Sequence, residues 1–174
     1  MDDQGAQGME LGANGWCPPF NLSSGMDYRA LAGVCNSLRS KLFTFHWSVI
    51  PRWYGQTLLK WNPDLAERHI LDAIVDALEL PDDREARSFA HYHIPAPDEP
   101  HPARPESWRL KTDQVADQVA GRSRFYAYAH SYRPLPQWKR MIAVLRDSRA
   151  AGMWVQRYGY LSDAKLEALS ELWP

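Results

Sequence analysis

The chain has 174 residues, 45% of them hydrophobic and 24% charged, with a net charge of −1. A chain of this length can bury roughly 70% of its unfolded surface without metal or disulfide support, and two cysteines, Cys17 and Cys35, exclude a disulfide framework. No apolar run reaches the ~18 residues of a membrane helix, and no basic-then-apolar leader opens the sequence. The expectation is a cytoplasmic protein with reduced thiols and no membrane contact.

Residues 1–25 hold five of the ten glycines, Gly5, Gly8, Gly12, Gly15 and Gly25. That composition predicts a flexible lead, docked if at all through Trp16 and Phe20. Asp27 caps a predicted helix over 27–41, where Tyr28, Leu31, Val34, Cys35 and Leu38 recur at three and four. The aromatic, β-branched run 42–50 fits a short buried strand and equally the end of that helix. Asn62-Pro63-Asp64, with Glu67 three residues on, starts a helix over 64–80 that Pro81 ends. Asp82 can cap a short helix through about His91.

Pro95, Pro97, Pro100, Pro102 and Pro105 make 94–105 a stiff connector. Residues 107–132 read as helical, with the apolar stripe switching beside Gly121, where a kink, a break or a change of packing partner is expected. Pro134 and Pro136 force a turn into a helix over 137–151, with Trp138, Met141, Ile142 and Leu145 inward. Ser162 caps the last helix. Together these elements predict a mainly α fold: one helical domain over 26–174, of about five or six helices, with one short strand region near 42–50.

Charge is segregated along the chain. Residues 121–160 carry eight Lys/Arg against Asp147 alone, a local net of +7. Phe125, Tyr126, Tyr128, Tyr132, Trp138, Tyr158 and Tyr160 sit among those charges. Cations interleaved with flat rings suit a polyanion carrying stackable bases. The candidate contact residues are Arg122, Arg124, Arg133, Lys139 and Arg140 for phosphates, with Tyr126 and Trp138 for stacking. The function expected is non-catalytic: an accessory protein presenting this surface to nucleic acid or a nucleoprotein complex, without a cofactor. The alternative is an inhibitor, adaptor or subunit docking on an acidic protein through Trp, Tyr and Arg anchors.

Other groups carry weaker chemistry. His91 and His93, at i and i+2, face one way only on a strand, and a metal-dependent hydrolase built on them is the third reading. Two half-exposed histidines at a helix end explain the same pattern. Asp72, Asp76 and Glu79 align on one helical face, where carboxylates are ordinarily solvated. Cys35 falls on an apolar stripe, as a small buried hydrophobe does. Phosphate-binding loops, dinucleotide fingerprints and nucleophile elbows are absent from the sequence.

Overall fold

In a computed structural model of the chain, residues 8–41, 49–80, 86–101 and 104–173 are described. Four short strands form one parallel sheet in the order β1-β2-β3-β4: Gly12–Trp16, Ser37–Lys41, Arg124–His130 and Gly152–Gln156. Seven helices accompany them among the described residues: α1 Phe20–Ser23, α2 Tyr28–Leu31, α3 Ile50–Trp61, α4 Glu67–Ala77, α5 Pro105–Val119, α6 Leu135–Arg146 and α7 Asp163–Leu172. The expected all-helical domain is therefore corrected to an α/β fold built on a parallel sheet.

Physical reasons for the difference lie in particular segments. In β3, Phe125, Ala127 and Ala129 alternate with Arg124, Tyr126, Tyr128 and His130, a period of two that belongs to a strand. The small alanines hide that alternation, and at helical spacing the rings look like two helix stripes. The helix expected over 27–41 ends at Leu31, the chain turns through 32–36, and Ser37–Lys41 is β2. Part of the glycine-rich lead is β1, held in register from Gly12 opposite Ser37 to Trp16 opposite Lys41. The strand expected near 42–50 falls mostly on 42–48, outside the described residues, and Ile50 opens α3. Of the kink, break or change of packing partner expected beside Gly121, the structure has a break: α5 ends at Val119, Gly121 has φ 71°, and the rest of the expected helix is β3.

Sequential neighbours in a parallel sheet, joined by crossovers of one hand, place their helices on one face. The core follows that rule. Leu38, Phe125, Ala127 and Ala129 meet Trp108, Val115 and Val119 of α5 and Trp138, Met141, Ile142 and Leu145 of α6 in one buried cluster. Tyr28 enters the same cluster, and its hydroxyl donates to Trp16 O at 2.8 Å, tying α2 to the end of β1. A second cluster joins Ile70, Leu71 and Ile74 of α4 to Ala86, Phe89 and Tyr92. Gly55 makes room for it, since a Cβ there would lie 2.1 Å from Phe89 Cε1.

Cations are built into this interior. Arg133 is fully buried, donates from Nε to His130 O at 2.9 Å and lies 5.3 Å over the Trp108 ring. Lys165 reaches in from α7, donating to Ser131 O at 2.7 Å and Tyr160 O at 2.9 Å. These bonds lock the loops that follow β3 and β4. Lys111 of α5 is enclosed and meets Glu79 Oε2 at 3.4 Å. Glu79 sits just past α4 at φ 51°, where Leu80 N bonds back to Val75 O. Helix C-termini ordinarily place glycine at that left-handed position. Here a carboxylate is kept instead, and it holds both Lys111 and the Gln114 amide.

Candidate functional site

The alternation that sends Leu38 and Phe125 into the core sends a different set to the opposite face. That face carries Asn14 and Trp16 of β1, Arg39 and Lys41 of β2, Arg124, Tyr126, Tyr128 and His130 of β3, and Trp154 and Gln156 of β4. Not one Asp or Glu lies in the four strands. Tyr126, Tyr128 and Trp154 stand outside both core clusters. Trp154 is 48% exposed, and Trp16, Arg39, Lys41 and Tyr126 are half-buried. Toward the strand ends the face closes: Tyr128 and His130 are buried.

The register sets cations beside rings. Arg39 pairs with Tyr126, and Tyr126 with Gly152; one step along, Trp16 pairs with Lys41 and Tyr128 with Trp154. Arg39 Cζ lies 4.2 Å from the Trp154 ring centroid although β3 runs between their strands. Lys41 Nζ lies 5.1 Å from that of Trp16. A cation over an aromatic face in partial solvent is worth ~0.5–2 kcal/mol, enough to hold the ring in place. Gly152 allows the close packing, since a Cβ there would meet Tyr126 Cδ1 at 3.0 Å. Tyr128 donates its hydroxyl to Asn14 Oδ1 at 2.9 Å, across β2. Burial pushes the Tyr128 phenol upward, against the neighbouring Arg39 charge. Among the described residues Arg39 and Lys41 have no carboxylate within ion-pair distance, and Arg39 Nε has no hydrogen-bond partner. Among the described residues the face thus offers positive charge at Arg39 and Lys41 without an acidic partner.

The residues singled out from sequence do not gather in one place. Arg124 and Tyr126 are on this face, and Arg122 is exposed in the turn before β3, donating to Gln118 O at 3.2 Å. Arg124 meets Glu10 at 2.6 Å. Arg133 and Trp138 are wholly enclosed, Trp138 donating to Lys165 O at 3.0 Å. Lys139 and Arg140 are exposed on α6, in the helical layer behind the sheet. Two more of the basic residues are paired at the surface: Arg146 with Asp147, and Arg149 with Asp113 and Asp117. Sequence reasoning named Trp16 only as a docking residue of the lead, and missed Arg39, Lys41 and Trp154. The only signal that could have found them is the two-residue alternation of Leu38 and Ser40 with Arg39 and Lys41, and of Met153 and Val155 with Trp154.

His91 and His93 are both exposed, with His93 Nε2 3.8 Å from Glu99 Oε2. Among the described residues no three His, Cys, Asp or Glu side chains converge as metal ligands. Cys17 and Cys35 are buried free thiols, and burial raises that of Cys17. No helix among the described residues is long and apolar enough to cross a membrane. No protein-family model, curated protein or solved structure matches the chain.

Proposed function

We propose that the protein binds single-stranded nucleic acid, without catalysis, on the face of its sheet that carries Trp154, Tyr126, Arg39 and Lys41. One observation carries this reading: an all-parallel sheet has a face lined by Trp154, Tyr126, Arg39 and Lys41 rather than by apolar core residues. Parallel sheets are almost always covered on both faces. A face with a half-exposed tryptophan, and with cations that have no carboxylate partner among the described residues, suits a partner. Rings that stack on bases, with cations for phosphates and no acids among them, match a single strand. The contact set moves accordingly from the helical segment to Trp16, Arg39, Lys41, Arg124, Tyr126 and Trp154.

Fluorescence polarisation with a labelled single-stranded oligonucleotide at ~50 mM salt tests it. Binding should weaken roughly tenfold in Trp154→Ala, the loss of one stacked base. It should change little in Lys139→Ala/Arg140→Ala, which lies behind the sheet. Absence of binding by the unmodified protein would remove the reading.

A second reading rests on its own observation. Trp53, Tyr54 and Trp61 of α3 are 50%, 48% and 71% exposed. They border two apolar hollows of about 380 and 360 Å³ that share Tyr54 and Leu58. Exposed clustered aromatics are the anchors of protein interfaces. A stoichiometric protein partner retained after nuclease treatment, and lost in Trp53→Ser/Trp61→Ser, is the result this reading expects.

A further inference from the structure

The N-terminal edge of the sheet holds a polar cleft of about 600 Å³. Its walls are three turns: Ala32 to Asn36 before β2, Gly121 to Arg124 before β3, and Ala151 before β4. Two guanidinium groups, Arg122 and Arg124, line it, and among the described residues no carboxylate does. Ser123, between those arginines in sequence, has an enclosed Oγ with no hydrogen-bond partner among the described residues. A buried hydroxyl without a partner costs about 1–3 kcal/mol, which an acceptor bound at this turn would offset. The turn is also tightly made, with Ala120 at φ 23° and Gly121 at φ 71°. Asn36 completes the polar rim, its Oδ1 accepting from Leu11 N at 2.8 Å.

Arg124 belongs to both surfaces. It lines the cleft and lies on the sheet face that carries Trp154, in register with Ser37. Its present partner is Glu10, whose Oε1 is 2.6 Å from Nη2, with the two side chains 65% and 53% exposed. An exposed pair of this kind is worth little. A doubly charged phosphate reaching Arg122 and Arg124 together, with the Ser123 hydroxyl rotating to donate to it, would displace Glu10, because charge-assisted bonds from fork-shaped guanidiniums are the stronger ones.

We infer that this cleft is a phosphomonoester site, which takes the terminal phosphate of a strand lying on the sheet. The inference rests on the proposed nucleic-acid reading and adds to it a preference for phosphorylated ends. Glu10 occupies Arg124 in the empty protein and competes with the phosphate.

The test compares three labelled oligonucleotides of one sequence, bearing a 5′-phosphate, a 3′-phosphate or no terminal phosphate. One phosphorylated end should bind about tenfold more tightly than the unphosphorylated strand. That ratio should fall to near one in Arg122→Ala/Ser123→Ala, persist in Trp154→Ala, and rise in Glu10→Gln. Equal binding of all three strands overturns the cleft inference and leaves the sheet reading in place. If no strand binds, the sheet reading fails, and inorganic phosphate titrated against backbone amide shifts decides the cleft separately. Saturable shifts at Gly121 to Arg124 would keep a phosphate site there, and none would end it.

Discussion

Glu79→Ala should expose how a buried lysine is tolerated under the sheet. The change removes the carboxylate 3.4 Å from Lys111 Nζ, and Lys111 has no exposed side-chain surface while that of Glu79 is 59% exposed. Stripping one partner from a fully buried pair costs ~3–5 kcal/mol. Water around Glu79 screens the attraction toward the ~0–1 kcal/mol of exposed pairs. The lysine's share is then about 1–2 kcal/mol, with a further loss from the Gln114 amide. For a chain of this size that lowers Tm by roughly 5 °C. In a Lys111→Met background the ammonium is gone and the volume is nearly kept, so Glu79→Ala should cost less than half as much. Glu79→Gly should be about 1 kcal/mol milder than Glu79→Ala, because glycine accepts the left-handed backbone. The pH dependence has a definite sign. Gln114 and Lys111 hold the Glu79 carboxyl below its ordinary value. Its contribution is present above the unfolded carboxylate range and is lost as pH falls through the lower folded pKa. Urea melts of the two single variants and the double variant, followed by circular dichroism, measure the cycle. Equal losses for Glu79→Ala in both backgrounds would refute the coupling.

Three other outcomes follow from the packing. Gly55→Ala ordinarily stabilises a helix interior by ~1 kcal/mol; here its Cβ would lie 2.1 Å from Phe89 Cε1, so net destabilisation is expected, relieved in Phe89→Leu, by urea denaturation. Tyr28→Phe removes the 2.8 Å bond to Trp16 O and should cost about 1 kcal/mol without changing the far-ultraviolet spectrum. Arg133→Met should be tolerated far better than Arg133→Glu, since burial already pushes the guanidinium pKa down and an apolar side chain fits beside Trp108; thermal melts rank the two.

Much of the helical layer was readable in the sequence. Asn62-Pro63-Asp64 and Pro81 flank α4, which runs Glu67–Ala77 rather than 64–80 and has Ala66, not Asp64, at its N-cap; Pro134 marks the start of α6, which runs Leu135–Arg146 rather than 137–151 and takes Pro136 into its first turn. Those signals are local and need no partner. The sheet was not readable, because each strand has only five to seven residues. Its alternation is carried by alanine, serine and glycine, which bear little hydrophobic signal. β1 illustrates the point: Gly12 and Gly15 mark a flexible lead by composition, yet Gly15 is needed because a Cβ there would lie 2.7 Å from the Tyr28 hydroxyl. The basic-aromatic segment was visible as composition, but composition carries no direction. Strand pleating divides it, sending Phe125 to the core and Tyr126 to the surface, while Arg133 and Trp138 are enclosed by long-range contacts. Arg39 and Trp154 lie more than a hundred residues apart in sequence, and only the sheet order brings them together.

The most direct test of the proposed binding face is the salt dependence of oligonucleotide binding. Three cations there, Arg39, Lys41 and Arg124, predict a slope of log Kobs against log salt of about −2 for a single strand. Arg39→Ala/Lys41→Ala should flatten that slope by more than half while the protein stays folded. A slope unchanged by the double substitution, or no measurable binding at low salt, would contradict the account.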